Sequence, residues 1–528
     1  MIAPTASQAL ALADTSGWQS CVAKTRDERG EDGQFFTPLA IARSLAGWFQ
    51  PAGFNRASLH LLDPGAGGGV LTAAVVDRLV TLRTSGALPR LQTVTIEVWE
   101  LDHTFLPTLR QNLSVCAESL RRIGIQTTVH INHGNYIDGA ALMLDSGLFG
   151  SSSVPQVTHA IINPPYRKIA ASSHERSMLA SVGIETSNLY AAFVWLALRH
   201  LAKGGELAAI TPRSFCNGPY FREFRRELLS KATFNRIHVF HSRTEAFSRD
   251  NVLQENILFL LQRGSPNNNH LTVSTGSLDA PVQVCVPRCR FVSPTDADQI
   301  MHITTESDAS DVRSFFDSLP CKLFDLGMEV STGPVVDFRL KDSLAYRLET
   351  DGIPLVYPHC VTIGQVRPPL HRAANYGDAR SSRKPVAIRD NEETRKWLIP
   401  TARFVLIKRF SSKEEKRRLV AGVLDPAAFP SALIGIENHL NFFHRKRAGL
   451  PASLARGLCR FLNSTVADRY FRQFNGHTQV NASDLRSLRY PDITALEQLG
   501  ATTLDDASQS AIDLAMTAHL GAPSFSES

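Results

Sequence analysis

A doubly wound α/β sheet over about residues 33–262, followed by an α+β half, is the architecture this sequence predicts, and three observations carry it. Apolar strand candidates alternate with amphipathic helical stretches through that span, the pattern of strands joined by helical crossovers. His60-Leu61-Leu62-Asp63-Pro64-Gly65-Ala66-Gly67-Gly68-Gly69-Val70-Leu71 reads as a strand, a glycine-rich turn and a helix start. The polar run Arg263-Gly264-Ser265-Pro266-Asn267-Asn268-Asn269-His270 then breaks the pattern and marks a domain boundary. A chain of 528 residues calls for at least two domains, because single cores stop growing at roughly 250 to 300 residues.

Residues 1–30 are set aside as an N-terminal leader. Met1 to Trp18 lacks the basic flank and long apolar stretch of a secretory signal. No run reaches the ~20 apolar residues that cross a bilayer, so a cytoplasmic protein without a membrane partner is expected. Gly33-Gln34-Phe35-Phe36-Thr37-Pro38 precedes a helix over Leu39 to Phe49, and Thr37-Pro38 fits an N-cap with proline at the first helical position.

In the glycine turn, Gly65, Gly67 and Gly69 let the main chain pass close to a nucleoside-bearing ligand, where a Cβ would collide. A generic nucleotide site is the alternative. The next strand, Val94 to Asp102, ends in acids. An acid at a strand's carboxyl end can bind both hydroxyls of a ribose, and Glu100 is favoured over Asp102 because it closes the apolar run. An exposed charge at a strand end is the other reading.

Asn163-Pro164-Pro165-Tyr166 directly follows the apolar run Ala160-Ile161-Ile162. An Asn amide oxygen and a proline carbonyl at a strand tip can accept both hydrogens of a flat, conjugated amine, and proline brings no competing N–H. The bland alternative is a strand-to-loop exit rich in turn residues. Beyond it, Asn188 to Leu201 gives an amphipathic helix that Gly204-Gly205 ends, Glu206 to Pro212 a strand and Phe221 to Leu229 a helix. Asn235 to Phe240 and Asn256 to Leu261 supply the last two strands, with Phe247 between them.

In this order the motifs resemble the S-adenosylmethionine-dependent DNA amino-methyltransferases, specifically the adenine-N6 enzymes of type II restriction–modification systems. The resemblance implies a mixed seven-stranded sheet with one antiparallel strand near its edge and a C-terminal α+β target-recognition domain. It implies S-adenosylmethionine as cofactor, double-stranded DNA as substrate and a companion restriction endonuclease acting at the same site. Thr37 and Pro38 would meet the methionine moiety; Asp63, Gly65, Ala66, Gly67, Gly69 and Glu100 would hold the rest, with Asn163 shared between cofactor and chemistry. Asn135, in His133-Gly134-Asn135-Tyr136, stands where the family often carries an acid, and still offers an acceptor to the cofactor's adenine amine. Asn163, Pro164, Pro165 and Tyr166 would be catalytic, with Tyr166 and Phe247 stacking on the target base; a core phenylalanine is the alternative for Phe247.

The domains expected on this basis are a catalytic domain at 31–263, a linker with a β segment bridging the halves at 264–320, target recognition at 321–495 and a tail at 496–528. Ser331 to Phe338 and Phe404 to Phe410 resemble segments of the same group, and Gly476 to Leu485 its closing pattern. The net charge is only +6, but basic residues gather late, and Lys408, Arg409, Lys413, Arg445, Lys446, Arg447 and His477 are the candidate DNA contacts. Charge runs also form ordinary solvated faces.

Composition, 43% hydrophobic and 20% charged, excludes disordered and fibrous classes. Only Cys285 and Cys289 lie close together, without the spacing of a zinc site, so no metal is expected. Cytosine-N4 methylation poses the same chemical problem, and protein and RNA amino-methyltransferases can carry the same four residues. Glu414-Glu415-Lys416 offers half of a nuclease site without a partnering aspartate, which makes a combined methylase–nuclease a lesser alternative.

Overall fold

The computed structural model describes residues 6–22, 35–148, 156–240, 255–265, 269–305, 309–346, 352–369, 384–411, 414–429, 431–475, 479–502 and 508–525. The chain divides into two compact units, residues 1–305 and 306–528. Among the described residues no helix is long and apolar enough to cross a membrane.

The first unit opens with α1 (Ala6–Val22) and α2 (Leu39–Trp48), followed by β1 (Ser58–Pro64), α3 (Val70–Thr84), β2 (Thr93–Glu100), α4 (Leu106–Arg122), β3 (Gln126–His133) and α5 (Tyr136–Leu148). Next come β4 (Val157–Ile162), α6 (His174–Ser181), α7 (Leu189–His200), β5 (Leu201–Pro212), α8 (Arg222–Lys231), β6 (Ala232–Val239) and β7 (Asn256–Arg263). Two further strands, β8 (His270–Thr275) and β9 (Val282–Pro287), close the unit's sheet, whose order is β3-β2-β1-β4-β5-β7-β6-β8-β9.

The first five strands of that order are parallel, and β7 runs antiparallel between β5 and β6. This is the mixed seven-stranded sheet, with its one antiparallel strand near the edge. It is longer than expected by two strands. The β segment read as bridging the halves instead pairs onto β6, with β8 parallel to it and β9 antiparallel to β8. The correction has a simple cause: without β8, the outer edge of β6 would present unpaired N–H and C=O groups.

Strand order reverses beside β1, which lies between β2 and β4, and ligands in open sheets bind outside the carboxyl ends at such a switch point. The register is informative here. Leu62 pairs with Ala160, so Gly65 and Asn163, each three residues on, leave the sheet side by side.

Helices cover both faces, as a parallel sheet requires. α4 buries Leu106, Leu109, Leu113, Cys116 and Leu120 at helical spacing. α7 departs from its amphipathic expectation: Leu189 through Leu198 are all buried. The helix also ends before Gly204-Gly205, because β5 begins at Leu201 and carries both glycines past an irregularity in its pairing with β4. A side chain on Gly205 would place its Cβ 2.8 Å from the Thr158 carbonyl, so the neighbouring strand demands a glycine there. Residues 1–30, set aside as a leader, hold α1, whose Leu10 and Ala13 belong to the same core as α3 and α4.

The second unit is α+β. A six-stranded sheet is built from β10 (Glu329–Thr332), β11 (Val361–Thr362), β12 (Gly364–Val366), β13 (Phe404–Lys408), β14 (Ala421–Leu424) and β15 (Leu440–His444), in the order β10-β15-β13-β14-β12-β11. A separate five-stranded sheet includes Gly352–Val356 and Leu433–Ile436, paired in parallel. Helices at Ala452–Asn463 and Ile493–Ala501 cross closely: a Cβ on Gly457 would sit 1.8 Å from the Leu496 carbonyl oxygen.

Candidate active site

A cavity of about 350 Å³ opens at the carboxyl ends of β1, β2 and β4. Its walls bring together segments far apart in sequence: Phe35, Phe36 and Thr37; Gly65 to Gly68; Trp99 to Asp102; Gly134 to Tyr136; and Asn163 to Pro165. Of the residues expected to hold a cofactor, Thr37, Gly65, Ala66, Gly67, Glu100, Asn135 and Asn163 lie on it.

The glycine turn is shaped by its hydrogen bonds. The N–H groups of Gly65 and Ala66 both donate to the Trp99 carbonyl, at 2.8 and 3.0 Å, and Gly69 N–H donates to Ala66 O. Gly65, Gly67 and Gly69 have φ of 78°, 54° and 83°, which side-chain-bearing residues rarely adopt. A Cβ on Gly67 would meet no protein atom within 4 Å, so this position borders open space that a ligand can enter. Gly69 is the N-cap of α3.

Glu100 ends β2 with 6% exposure. One carboxylate oxygen accepts Gly67 N–H at 2.7 Å and the other Asp102 N–H at 2.8 Å, so the side chain pins the glycine turn to the end of β2. Burial pushes its carboxyl up, against the pull of those backbone donors. Asp102 accepts Thr104 N–H at 3.0 Å and caps the short 3-10 turn after β2. Asp63 lies fully buried at the end of β1, where it accepts the Thr72 hydroxyl at 2.7 Å. Burial, with the nearby Glu100 adding to it, raises its carboxyl to about 7. Asn135 accepts Ile137 N–H at 3.0 Å and so starts α5 while lining the cavity.

The Thr37-Pro38 step does not cap α2 through its side chain. Pro38 is the N-cap, and no side-chain hydrogen bond is made there. The Thr37 hydroxyl turns instead to Asn163, whose Nδ2 donates to Thr37 Oγ1 at 2.8 Å and to the Phe35 carbonyl at 3.1 Å. A carbonyl only accepts, so Phe35 fixes which end of the amide is nitrogen. Both amide hydrogens are thereby used, and Asn163 Oδ1 is left as the acceptor. Tyr166 O–H approaches that oxygen and the Ile210 carbonyl, each at 3.3 Å. Its ring packs between Phe35 and Tyr190, at centroid distances of 5.4 and 6.5 Å, and burial raises its hydroxyl well above the usual phenol range. Pro164 and Pro165 complete the wall.

Several contributors were not read from the sequence. Trp99 lines the cavity, held by an indole N–H to Glu97 Oε1 bond of 2.9 Å. Asn112, fully buried on the apolar face of α4, donates to the Gly68 carbonyl at 2.6 Å. A polar residue on the core side of an amphipathic helix was the signal available for it. Gly17 of α1 backs the glycine turn: a Cβ on Gly68 would lie 2.7 Å from Gly17 Cα.

Phe247, Lys413 and His477 lie outside the described residues. Of the other basic candidates in the second unit, Lys408 is half-buried with its ammonium pushed down by burial, and Arg409 donates to Asn438 O and Gln479 Oε1. Arg445 is half-buried, whereas Lys446 and Arg447 are exposed. Glu414-Glu415-Lys416 occupies a turn between β13 and β14, not a strand.

Residues 159–247 match the Eco57I restriction-modification methylase family. The chain is 40% identical over 481 residues to the type II methyltransferase M.PstI of Providencia stuartii, covering 90% of each chain. It is 39% identical over 482 residues to the type II methyltransferase M.BsuBI of Bacillus subtilis, covering 90% of this chain and 91% of that one. Among solved structures, the type IIL restriction-modification enzyme MmeI in complex with DNA shares its fold, with a TM-score of 0.52 at 14% identity over 97% of this chain and 74% of that one. With two relatives this similar along nearly their whole length, and a methylase family matched across the strand that delivers Asn163, the chain belongs to the type II methyltransferases of restriction–modification systems.

Proposed function

We propose that the protein transfers a methyl group from S-adenosylmethionine to the N6 amino group of adenine in duplex DNA, protecting that DNA from a companion endonuclease of the same specificity. The observation that carries this reading is the state of Asn163. With both amide hydrogens engaged by Phe35 and Thr37, its oxygen is an oriented acceptor in the same cavity as the glycine turn and Glu100.

The cavity suits the cofactor chemically. Gly67 borders open space where a nucleoside can approach the main chain, and Glu100 stands at the strand end where ribose hydroxyls are bound in related folds. Glu100, on the cavity wall, is an acid whose charge is disfavoured by burial, so a cationic ligand beside it relieves that cost. S-adenosylmethionine supplies an electrophilic methyl carbon on a sulfonium.

A base inside the duplex hides its amino group, so the target nucleotide leaves the stack at a cost of a few kcal/mol, which aromatic contacts offset. Asn163 Oδ1 and the Pro164 carbonyl then accept the two amine hydrogens and turn the nitrogen lone pair toward the methyl. The cofactor would supply the methyl carbon and keep the electron pair of the broken C–S bond on sulfur, while the nitrogen forms the new N–C bond and its surplus proton passes to solvent water. Positioning and fixed dipoles supply the acceleration, with no covalent enzyme intermediate.

The test is to incubate the purified protein with labelled S-adenosylmethionine and, in parallel, duplex DNA, RNA or protein, then digest the DNA and identify the modified nucleoside by mass spectrometry. N6-methyladenine is expected. N4-methylcytosine, or label on RNA or protein alone, overturns the adenine assignment.

A further inference from the structure

Among the described residues, the non-glycine positions with a left-handed backbone are Gln299, Lys446 and Arg447, and the last two are consecutive, with φ of 48° and 63°. Arg445 and Ala448 flank them and exchange both backbone hydrogen bonds, at 3.0 and 2.8 Å. Positive φ at both central residues of a two-residue hairpin is the mark of a type I′ turn, the place where Asn-Gly is preferred because a Cβ in this conformation crowds its own carbonyl. Here the turn carries a lysine and an arginine.

The strain is held from below. His444, the last residue of β15 and 2% exposed, accepts Arg447 N–H on Nδ1 at 3.0 Å, while its Nε2 meets Ser331 Oγ on β10 at 2.9 Å. Lys446 and Arg447 themselves are exposed, and neither is paired with a carboxylate among the described residues. A strained backbone persists only where its surroundings over-determine it, and such positions gather at functional sites. Asn-Gly would be easier to fold but would carry no charge.

We propose that the Lys446–Arg447 turn is a rigid two-cation finger that grips the phosphate backbone of duplex DNA; this rests on the duplex-DNA reading above. A tight turn fixes where both side-chain stems begin, so the cations reach adjacent phosphates without first ordering a loop. The partner is a polyanion by charge complementarity, and the turn orients the chain on DNA without reading sequence.

Two double variants separate charge from strain. Lys446→Gln/Arg447→Gln removes charge and keeps the left-handed positions filled by side chains, whereas Lys446→Asn/Arg447→Gly removes both charge and strain. Binding to a 30-base-pair DNA duplex and, in parallel, to a 30-nucleotide single-stranded RNA is read by fluorescence anisotropy across a salt series, and stability by thermal unfolding. Both variants are expected to bind about tenfold more weakly at 50 mM salt, with the log–log salt slope reduced by about 2. The Asn/Gly variant is also expected to melt about 4 °C above the Gln/Gln variant. Unchanged affinity and slope in Gln/Gln overturn the finger, as does an equal loss of binding to single-stranded RNA with no preference for duplex. Equal melting of the two variants overturns the strain argument. A parent protein that does not bind duplex DNA at all defeats the underlying reading instead.

Discussion

Thr37 Oγ1 accepts a hydrogen bond from Asn163 Nδ2 at 2.8 Å, joining two residues 126 positions apart and tying the approach to α2 to the tip of β4. This bond, with that to the Phe35 carbonyl, decides which way the amide faces. The threonine serves the asparagine rather than its own helix.

Asn163→Ala is therefore expected to lower methyl transfer by at least about a thousandfold, while S-adenosylhomocysteine binding measured by calorimetry stays within about threefold of the parent. Thr37→Val should cost less, about tenfold in kcat, because one amide hydrogen loses its partner and orientation loosens. Equal effects of both on ligand affinity and not on kcat would place these residues in cofactor binding alone.

Glu100→Gln is expected to weaken S-adenosylhomocysteine binding by about ten- to a hundredfold. The carboxylate accepts Gly67 N–H and Asp102 N–H with its two oxygens, and an amide would turn an NH2 toward one of those donors. Asp102→Asn, at a side chain that caps a turn, should change affinity by less than about threefold. Calorimetric titration of the two variants side by side decides between the acids.

Asp63 predicts a pH dependence of stability with a definite sign. Its carboxyl sits at about 7 in the folded protein against 3.8 ordinarily, because of burial. Folding thus favours the protonated form. Below the unfolded value Asp63 costs nothing; as pH rises from about 4 through about 7 the folded state is progressively penalised, by a few kcal/mol in all. Asp63→Asn, which still accepts from Thr72, should unfold at a higher temperature than the parent at pH 8 and at a similar one near pH 4. Parallel melting curves across that range would contradict it.

Gly67 and Gly68 are neighbours with opposite surroundings. A methyl on Gly68 would lie 2.7 Å from Gly17 Cα, so Gly68→Ala should push α1 away and lower the melting temperature by about 4 °C or more. A methyl on Gly67 would enter open space, so Gly67→Ala should cost about 1–2 kcal/mol through its backbone conformation and act mainly by weakening S-adenosylhomocysteine binding. Melting curves with and without the ligand separate the two.

Much of the site was legible because its chemistry is local. A glycine turn after an apolar strand, an acid closing the next strand and two prolines behind an asparagine each state their own geometry within a few residues. Whatever depended on partners distant in sequence was not. Asn112 reaches Gly68 across 44 positions, and Gly17 touches the turn only because α1 packs on α3 and α4. Gly204-Gly205 looked like a helix terminator; the neighbouring Thr158 carbonyl makes it part of a strand.

By itself the sequence determined the α/β alternation of the first half, the order of its motifs and the identity of many groups that line the cavity, because strand periodicity, turn residues and donor–acceptor chemistry are properties of short segments. Tertiary structure alone decided that β8 and β9 extend the sheet, that residues set aside as a leader brace the glycine turn, and that the amide nitrogen of Asn163 is tied to Phe35 and Thr37 so that its oxygen is the acceptor. Each of these turns on which backbone edge is left unpaired or which acceptor lies across a packed interface, and such pairings exist only once the chain has folded.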